Sequence, residues 1–522
     1  MAEADVAIIG SGATGALMAA RLGAAGHRVI ILESGPPRSL DHMYSSTIWS
    51  RRLKWGGSPV ESAGANRIAI PFESGWGTGG AALHHYACWF RLHEEDFHRH
   101  SAAGIAADWP ISYADLRPWY DALQDEVGIS GDHERERWRP PGNPYPMPAL
   151  PIFPQGDIIA RGFEALDMHV APLPMAINSV EYRGRPACIQ DGWCDAGCPT
   201  GALANPVVLY GRALKEAGVE TRHHATVSRI LTDASGKRAS GVEYFDEAGA
   251  LRVLSTNVVV VAAFSVESPR LLLNSASAKH PAGLANSSGQ VGRNFMAHGA
   301  VNLYALFDEP TYNYLGRTGG QLVNQDRYAD APGGYGSACT WRIGPAFKLG
   351  DLGGLAASRG DLYGEPLTIF MKDAATNLGS MTALVESGGT AGNHIELSSV
   401  KDRHGIPTAR AHHALDDRSL SALARAADEG SHVLKAAKAR EIWHAPIRTE
   451  HMMGSLRMGA DPARSVANGF GQSHDVDNLF IAGPALFPSI GAVNPTFTAV
   501  ALAARTADYI GREWRAFASA TV

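Results

Sequence analysis

No apolar stretch in the sequence is long enough to cross a bilayer; the strongest run, Val258 to Ala263, is the length of a strand. There is no basic excess either. With 46 Lys and Arg against 52 Asp and Glu the net charge is -6, which argues against nucleic acid or an anionic membrane surface as partner. Five cysteines in 522 residues are too few for a disulfide framework. Residues 1–10 hold no Lys or Arg and run straight into an apolar strand, so no signal peptide is read there. The expected location is the cytoplasm, or the periplasm by export alongside a partner subunit that carries the signal. Internal repeats and low-complexity tails are lacking too. What remains is an ordinary globular composition, 45% hydrophobic and 19% charged, at a length for roughly two or three structural domains.

The most informative stretch comes first. Asp5-Val6-Ala7-Ile8-Ile9 is a β-branched run that leads into Gly10-Ser11-Gly12-Ala13-Thr14-Gly15, and an Ala/Leu-rich helical pattern follows. Gly10 suits a tight turn, Gly12 lets a pyrophosphate approach the backbone, and Gly15 lets helix pack on strand. The phosphates then sit at the positive end of that helix. Val29 to Leu32 reads as the second strand, and Glu33 at its end is placed to bind a ribose hydroxyl pair. Together these predict a dinucleotide site, NAD or FAD.

Further along, Gly75 to Trp89 contains Gly79, Gly80 and His84 among aromatics. It reads either as backbone lying against a flat ring or as a buried loop filled by aromatics, with Trp76, Tyr86 and Trp89 available to stack on a ligand or to fill the core. Ser112 is the expected N-cap of a helix running to Val127, and Pro140 to Pro154 reads as a connector. Asn257 to Ala263 is a buried parallel-type strand, and a helix is expected from Ser268, with Pro269 at an early position. From about 300 to 450 strand-like pieces alternate with loops, including His394 to Leu397. Gly/Ala-rich segments from Gly316 to Gly364 predict a mobile lid on an antiparallel domain. Asp417 to Lys438 is an amphipathic helix. Asn478 to Gly483 returns to strand, and an Ala-rich helix follows from Thr496.

Two C-terminal stretches carry chemistry. His451 opens His-Met-Met-Gly-Ser-Leu-Arg-Met-Gly, and Asn494-Pro495-Thr496-Phe497-Thr498 starts the last helix, whose free N–H groups can face an anionic centre such as a reduced flavin. A histidine can remove a hydroxyl proton, and an asparagine can hold the alkoxide without titrating. Read alone, each also fits an ordinary loop histidine or an Asn-Pro turn.

These stretches resemble the glucose–methanol–choline (GMC) family of flavoprotein oxidoreductases. The family's FAD fingerprint matches Gly10, Gly12, Gly15 and Glu33. Its HxxG(T/S)xxMG motif matches His451 to Gly459, its Asn-Pro-x-x-Thr matches Asn494 to Thr498, and its "VGRNLMxH" is similar to Val291 to His298. The resemblance implies an α/β plus α+β fold: a Rossmann-like FAD-binding domain (1–95, 190–300 and 455–522) with an inserted antiparallel-sheet substrate domain (96–189 and 301–454). It implies FAD, held also by Ala13, Thr14, Gly79, Gly80, Val227, Gly483, Asn494, Pro495 and Thr496. His451 would be the base and Asn494 the partner orienting the substrate hydroxyl.

Ala285-Asn286-Ser287-Ser288 and Gly201-Ala202 carry similarity to the bacterial sugar-oxidising branch: pyranose oxidases, FAD subunits of glucose and gluconate dehydrogenases, and glycoside 3-oxidases. A sugar or glycoside substrate is therefore expected, oxidised to a ketone or lactone, with oxygen, a quinone or a cytochrome as acceptor. Oxidation of a non-sugar alcohol and a redox-silent FAD lyase stay open beside it. The position of His84 is bonded covalently to flavin in pyranose oxidases and left unbonded in neighbouring branches. Two departures stand out: Gly483 replaces the family's usual Asp, and Phe264-Ser265 follows the 258–263 strand. Cys188, Cys194 and Cys198 form Cx5CxxxC, which in glucose dehydrogenase subunits holds a [3Fe-4S] cluster; zinc with a fourth ligand, or a buried structural turn, are the other readings.

Overall fold

The computed structural model describes residues 2–54, 56–68, 74–328 and 335–518. Val6 to Ile9 and Val258 to Val261 are apolar at every position because both faces of their sheet are covered, as a parallel sheet requires. That sheet runs Glu220–Arg222, Val29–Leu32, Ala4–Ile9, Leu251–Val261, Leu479–Ile481, all parallel, with Ile9 opposite both Leu32 and Val261. The long strand Leu251–Val261 does double duty. Its first half alternates exposed and buried residues and pairs antiparallel with Ala239–Phe245, which in turn pairs with Thr226–Thr232. Helices Ala13–Ala24 and Thr496–Arg512 pack on one another through mostly small side chains. Both start at the carboxyl edge of the parallel strands, where ligands bind in sheets of this type.

The second sheet is antiparallel: Glu441–His444, Phe295–Leu306, Leu378–Val385, Cys339–Ile343, Leu322–Asn324, Ala171–Pro172, with Arg448–Gly454 alongside the first half of Phe295–Leu306. Side chains alternate across it. Val301, Leu303 and Ala305 join a core with helices Pro154–Glu164 and Asp417–Ala436. His298, Ala300, Asn302 and Tyr304 occupy the other face. The chain leaves the nucleotide sheet after Leu251–Val261 and rejoins it only at Leu479–Ile481, so every strand of the second sheet except Ala171–Pro172 comes from that one inserted stretch.

Several expectations change. The helix expected from Ser268 begins at Phe264 and puts Pro269 in its interior. Proline has no N–H to give the Ser265 carbonyl, and the Ser455 hydroxyl donates to it instead at 2.7 Å. Ser265 Oγ in turn donates to the Met452 carbonyl at 2.9 Å. The Phe264-Ser265 departure therefore ties this helix to the segment around His451. The region read as a lid contains two buried strands, Leu322–Asn324 and Cys339–Ile343, and a helix, Leu349–Ala356; its residues 329–334 lie outside the described residues. Residues 394–401 pair with Pro407–His412, which pairs in turn with Val60–Ala63, in a small separate sheet. Helix Tyr113–Val127 carries the expected Ser112 cap, with Asp115 N–H donating to Ser112 Oγ at 3.2 Å. It packs on Thr496–Arg512 in the core of the nucleotide sheet although it falls within 96–189, and strand Phe295–Leu306 starts before residue 301.

Candidate active site

The nucleotide turn is shaped by contacts that leave room for backbone only. A Cβ on Gly10 would lie 2.6 Å from the Ala262 carbonyl oxygen, and one on Gly15 would lie 2.1 Å from the Gly10 carbonyl oxygen. Gly12 meets nothing within 4 Å, so its backbone faces open space. The helix starting at Ala13 has no side-chain cap and no acid in its first turn, which leaves its N–H groups to a ligand. Glu33 accepts from Ser11 N–H at 3.0 Å, Ser11 Oγ at 2.7 Å and Gly35 N–H at 2.8 Å, and so sits beside that turn. Ala225 N–H reaches the Glu33 carbonyl at 2.9 Å, which brings Val227 to the same edge. The Gly75–Gly80 loop lies over the turn: Gly79 N–H donates to the Ser11 carbonyl at 3.1 Å, and a Cβ on Gly80 would be 3.3 Å from Gly12 Cα. A Cβ on Gly483 would be 3.6 Å from Thr14 Oγ1, so the residue replacing the usual Asp still borders this loop. His84 is buried with Nε2 2.8 Å from the Ser74 carbonyl, and burial lowers it to about 4, which keeps it neutral.

His451 is brought to the same edge by a β-bulge. Glu450 pairs with His298 and Met452 with Ala297, so His451 is the extra residue, at φ +61°. A bulge re-aims one side chain out of the strand's alternation. The ring meets Asn494 Nδ2 at 2.8 Å through Nε2 and His298 Nδ1 at 3.1 Å through Nδ1. His298 Nε2 lies 2.9 Å from the Gly491 carbonyl oxygen. These partners settle the tautomers. A carbonyl only accepts, so His298 carries its proton on Nε2. Burial lowers His298 to about 4 and it is neutral, which makes its Nδ1 the acceptor. His451 must then be protonated on Nδ1. Burial, against the pull of the Glu450 carboxylate, lowers His451 and keeps it neutral too. Its Nε2 is left as a base, facing the Asn494 amide.

Asn494 precedes helix Thr496–Arg512, whose cap position is Pro495 and which has no side-chain cap. Asn494 Oδ1 is buried without a partner. An orphaned amide oxygen, two uncapped helix starts at one sheet edge and glycine backbone facing open space fit a dinucleotide cofactor, with the reacting ring beside His451 and Asn494.

Next to the base the antiparallel sheet presents a polar face. Glu450 takes hydrogen bonds from Arg342 and Arg448. Burial alone would raise its carboxyl, but the two guanidinium groups hold it below the ordinary carboxylate range. Arg448 Nη2 also donates to Asn302 Oδ1 at 3.1 Å, and Thr382 Oγ1 donates to the same oxygen at 2.8 Å. Tyr304 and Trp443 stack at the far end, with centroids 5.6 Å apart. Of the aromatics read as able to stack on a sugar or to fill the core, Trp89 fills the core, stacked on Phe497 at 4% exposure. Tyr86 packs against that core, and Trp76 covers Gly56. Arg342, Glu450 and the role of His298 carry no sequence signal beyond the neighbourhood of the motifs.

The three cysteines lie together: burial, with Cys188 and Cys198 adding to it, pushes the Cys194 thiol up to about 12. Backbone N–H groups of Gln190 and Leu203 reach Cys188 Sγ at 3.4 Å and Cys198 Sγ at 3.3 Å. The sulfurs do not all lie within 4.8 Å of one another. That removes the zinc reading, because thiolates about 2.3 Å from one tetrahedral ion sit closer together. Among the described residues His394, Glu396 and His412 do meet that spacing. Glu396 is already bonded to His412 at 2.9 Å and lies 4.0 Å from Arg410, so this is a surface ion-pair network. Among the described residues no helix is long and apolar enough to cross a membrane.

Known proteins share this arrangement. The chain is 30% identical to 2-methyl-1,2-propanediol dehydrogenase of Mycolicibacterium austroafricanum, over 98% of this chain and 96% of that one. It is 29% identical to the fructose dehydrogenase large subunit of Gluconobacter japonicus, over 97% and 98%. The fold matches formate oxidase of Aspergillus oryzae with a TM-score of 0.70 at 15% identity, covering 98% of this chain and 99% of that one. The N-terminal and C-terminal models of GMC oxidoreductase match residues 5–300 and 389–503. With both halves of its active-site edge inside those matches, the chain belongs to the GMC oxidoreductase family, whose members bind FAD and oxidise alcohol groups.

Proposed function

We propose that this enzyme oxidises a hydroxyl of a sugar, glycoside or closely related polyol, using FAD bound along the Gly10–Gly15 turn. The observation that carries the reading is the neutral His451, held with its Nε2 toward Asn494 beside a sheet face of Arg342, Arg448, Asn302 and Thr382. His451 Nε2 takes the hydroxyl proton, and Asn494 Nδ2 donates to the same oxygen as negative charge develops on it. The Nδ1–H of His451 stays on His298, so the ring keeps its orientation as it becomes cationic, and Glu450 stabilises that charge. FAD, when bound, supplies the acceptor for the hydride that leaves the carbinol carbon. The polar face suits a substrate with several hydroxyls, which can exchange hydrogen bonds with Arg448, Asn302 and Thr382 where a monoalcohol offers one. Two relatives named for a vicinal diol and for fructose support the same class.

The test is anaerobic bleaching of the flavin by a substrate panel. Sugars, glycosides and vicinal polyols are expected to bleach it, with aryl and simple aliphatic alcohols at least about tenfold slower. Bleaching by monoalcohols alone would remove the sugar reading. No bleaching by any alcohol, together with cyanohydrin cleavage, would favour the lyase.

A second reading concerns the cysteines. Arg317 is 1% exposed, donates to the Pro151 carbonyl at 2.6 Å and Gln190 Oε1 at 3.1 Å, and has no carboxylate partner among the described residues. Burial lowers it, and the thiols of Cys188, Cys194 and Cys88 are what offset that. Arg185 stands in the same relation to Cys198. The buried Arg317, with no carboxylate partner among the described residues, would be balanced by an anionic centre on Cys188, Cys194 and Cys198, and an iron–sulfur cluster there would supply one-electron outflow to a quinone or cytochrome. Purified protein is expected to contain iron and acid-labile sulfide, both lost in Cys194→Ser with FAD retained. Iron-free protein with full activity would leave the cysteines structural.

A further inference from the structure

Behind the base, hydrogen bonds continue past His298. The Gly491 carbonyl that receives His298 Nε2–H belongs to the same peptide group as Ala492 N–H, which donates to Tyr328 Oη at 3.0 Å. Tyr328 has one hydroxyl proton, and it goes to Asp96 Oδ2 at 2.7 Å. Asp96 is wholly buried, its Oδ2 also accepts His93 N–H at 2.8 Å, and its Oδ1 has no partner. Gly491 sits at φ +54°, and a Cβ there would lie 2.6 Å from both Asp96 Oδ2 and Tyr328 Oη. The peptide is thus pressed onto the Asp96–Tyr328 pair, and only glycine fits.

We propose that Asp96 is a positioning residue that sets the proton affinity of His451 through Tyr328, the Gly491–Ala492 peptide and His298. Every link acts in one sense. A charged Asp96 makes the Tyr328 oxygen a better acceptor for Ala492 N–H. That polarises the peptide, strengthens the Gly491 carbonyl as acceptor for His298, and makes His298 Nδ1 a better acceptor for His451 Nδ1–H. His451 Nε2 becomes more basic as a result. A protonated Asp96 weakens the whole series.

The groups around Asp96 place this change in the working range. Burial raises its carboxyl, to about 7, and Glu386 and Glu95 add to that. The His93 side and the Tyr328 hydroxyl pull the other way. Glu386 is itself bonded to Arg99 at 2.9 and 2.7 Å, which limits its repulsion. His93 stacks on Tyr328 with centroids 3.8 Å apart and lies 3.7 Å from the half-exposed Glu95.

This inference rests on the oxidoreductase reading above, and one experiment separates them. The rate of anaerobic flavin bleaching is followed against pH in the flavin-loaded wild type, in Asp96→Asn and in Tyr328→Phe. The wild type is expected to show an inflection near pH 7, with the rate rising about threefold or more on the alkaline side. Both variants are expected to lose the inflection and stay near the acid-side rate, with flavin content and KM unchanged. An inflection retained in the variants, or lacking in the wild type, would overturn the proposal. If Asp96→Asn fails to fold, Tyr328→Phe decides alone. A wild type bleached by no alcohol would instead remove the underlying reading.

Discussion

His451→Asn is expected to slow substrate reduction of the flavin by about a hundred- to ten-thousand-fold, with FAD still bound and the fold intact. Asparagine is the informative replacement because His451 occupies the left-handed region at φ +61°, which asparagine tolerates better than most residues. The bulge should therefore survive, and with it the pairing of Glu450 with His298 and of Met452 with Ala297. What disappears is Nε2, the one atom of this chain that faces Asn494 with a basic lone pair. Stopped-flow bleaching under anaerobic conditions gives the rate directly. A loss confined to KM would mean that His451 binds substrate without taking its proton, and an unchanged rate would remove it from the chemistry. The pH dependence has a definite sign: burial lowers His451, so beyond the partial change near pH 7 expected from Asp96 the activity it supports is lost in full only as the pH falls through that lowered value.

Gly15→Ala is expected to yield protein with almost no flavin and a lower thermal midpoint, while Gly12→Ala loses affinity for flavin alone. The contrast lies in what each new methyl group meets. At Gly15 the Cβ would be 2.1 Å from the Gly10 carbonyl oxygen and 3.3 Å from Ala262 Cβ, and neither backbone nor alanine can turn aside. Helix Ala13–Ala24 must lift off the first strand, an overpacking that costs about 1–3 kcal/mol or more and takes the phosphate-facing N–H groups with it. At Gly12 the backbone is extended and nothing lies within 4 Å, so alanine folds without strain. Its methyl group instead occupies the space a pyrophosphate would use. The measurement is flavin stoichiometry beside the melting temperature of flavin-free protein. Equal melting temperatures for both variants would mean that the Gly15 contact yields more easily than its geometry implies.

The contrast between these two sites shows which parts of the molecule are legible along the chain. Gly10, Gly12, Gly15 and Glu33 can be read together because turn, helix start and second strand follow within about thirty residues, and each step is a local preference. The same holds for the Ser112 cap and for the Ala-rich helix after Pro495. Pro269 shows the limit. As a residue type it belongs in a first turn, yet it sits inside the helix because the Ser455 hydroxyl, distant along the chain, satisfies the carbonyl it leaves open. The Gly-rich region after Gly316 misleads for a similar reason. Leu322–Asn324 and Cys339–Ile343 are short strands that pair with each other and, on their outer sides, with Ala171–Pro172 and Leu378–Val385, and composition says nothing of pairing. Zinc at the cysteines was open by spacing and closed by distance.

By itself the sequence determined the family, the two chemically active stretches and the parallel character of the first sheet, because each depends on residues close together along the chain or on a motif carried whole. The tertiary structure alone decided how His451 is aimed and which of its ring nitrogens carries the proton. Its direction comes from a bulge set by register against Phe295–Leu306, and its tautomer comes from His298 and a carbonyl at Gly491. Its electrostatic surroundings come from Glu450, from Arg448 and from Arg342, which is far from it in the chain. Hydrogen bonds and charges act across space at about 3 Å whatever the separation along the chain, so no local pattern records them until the two sheets are brought together.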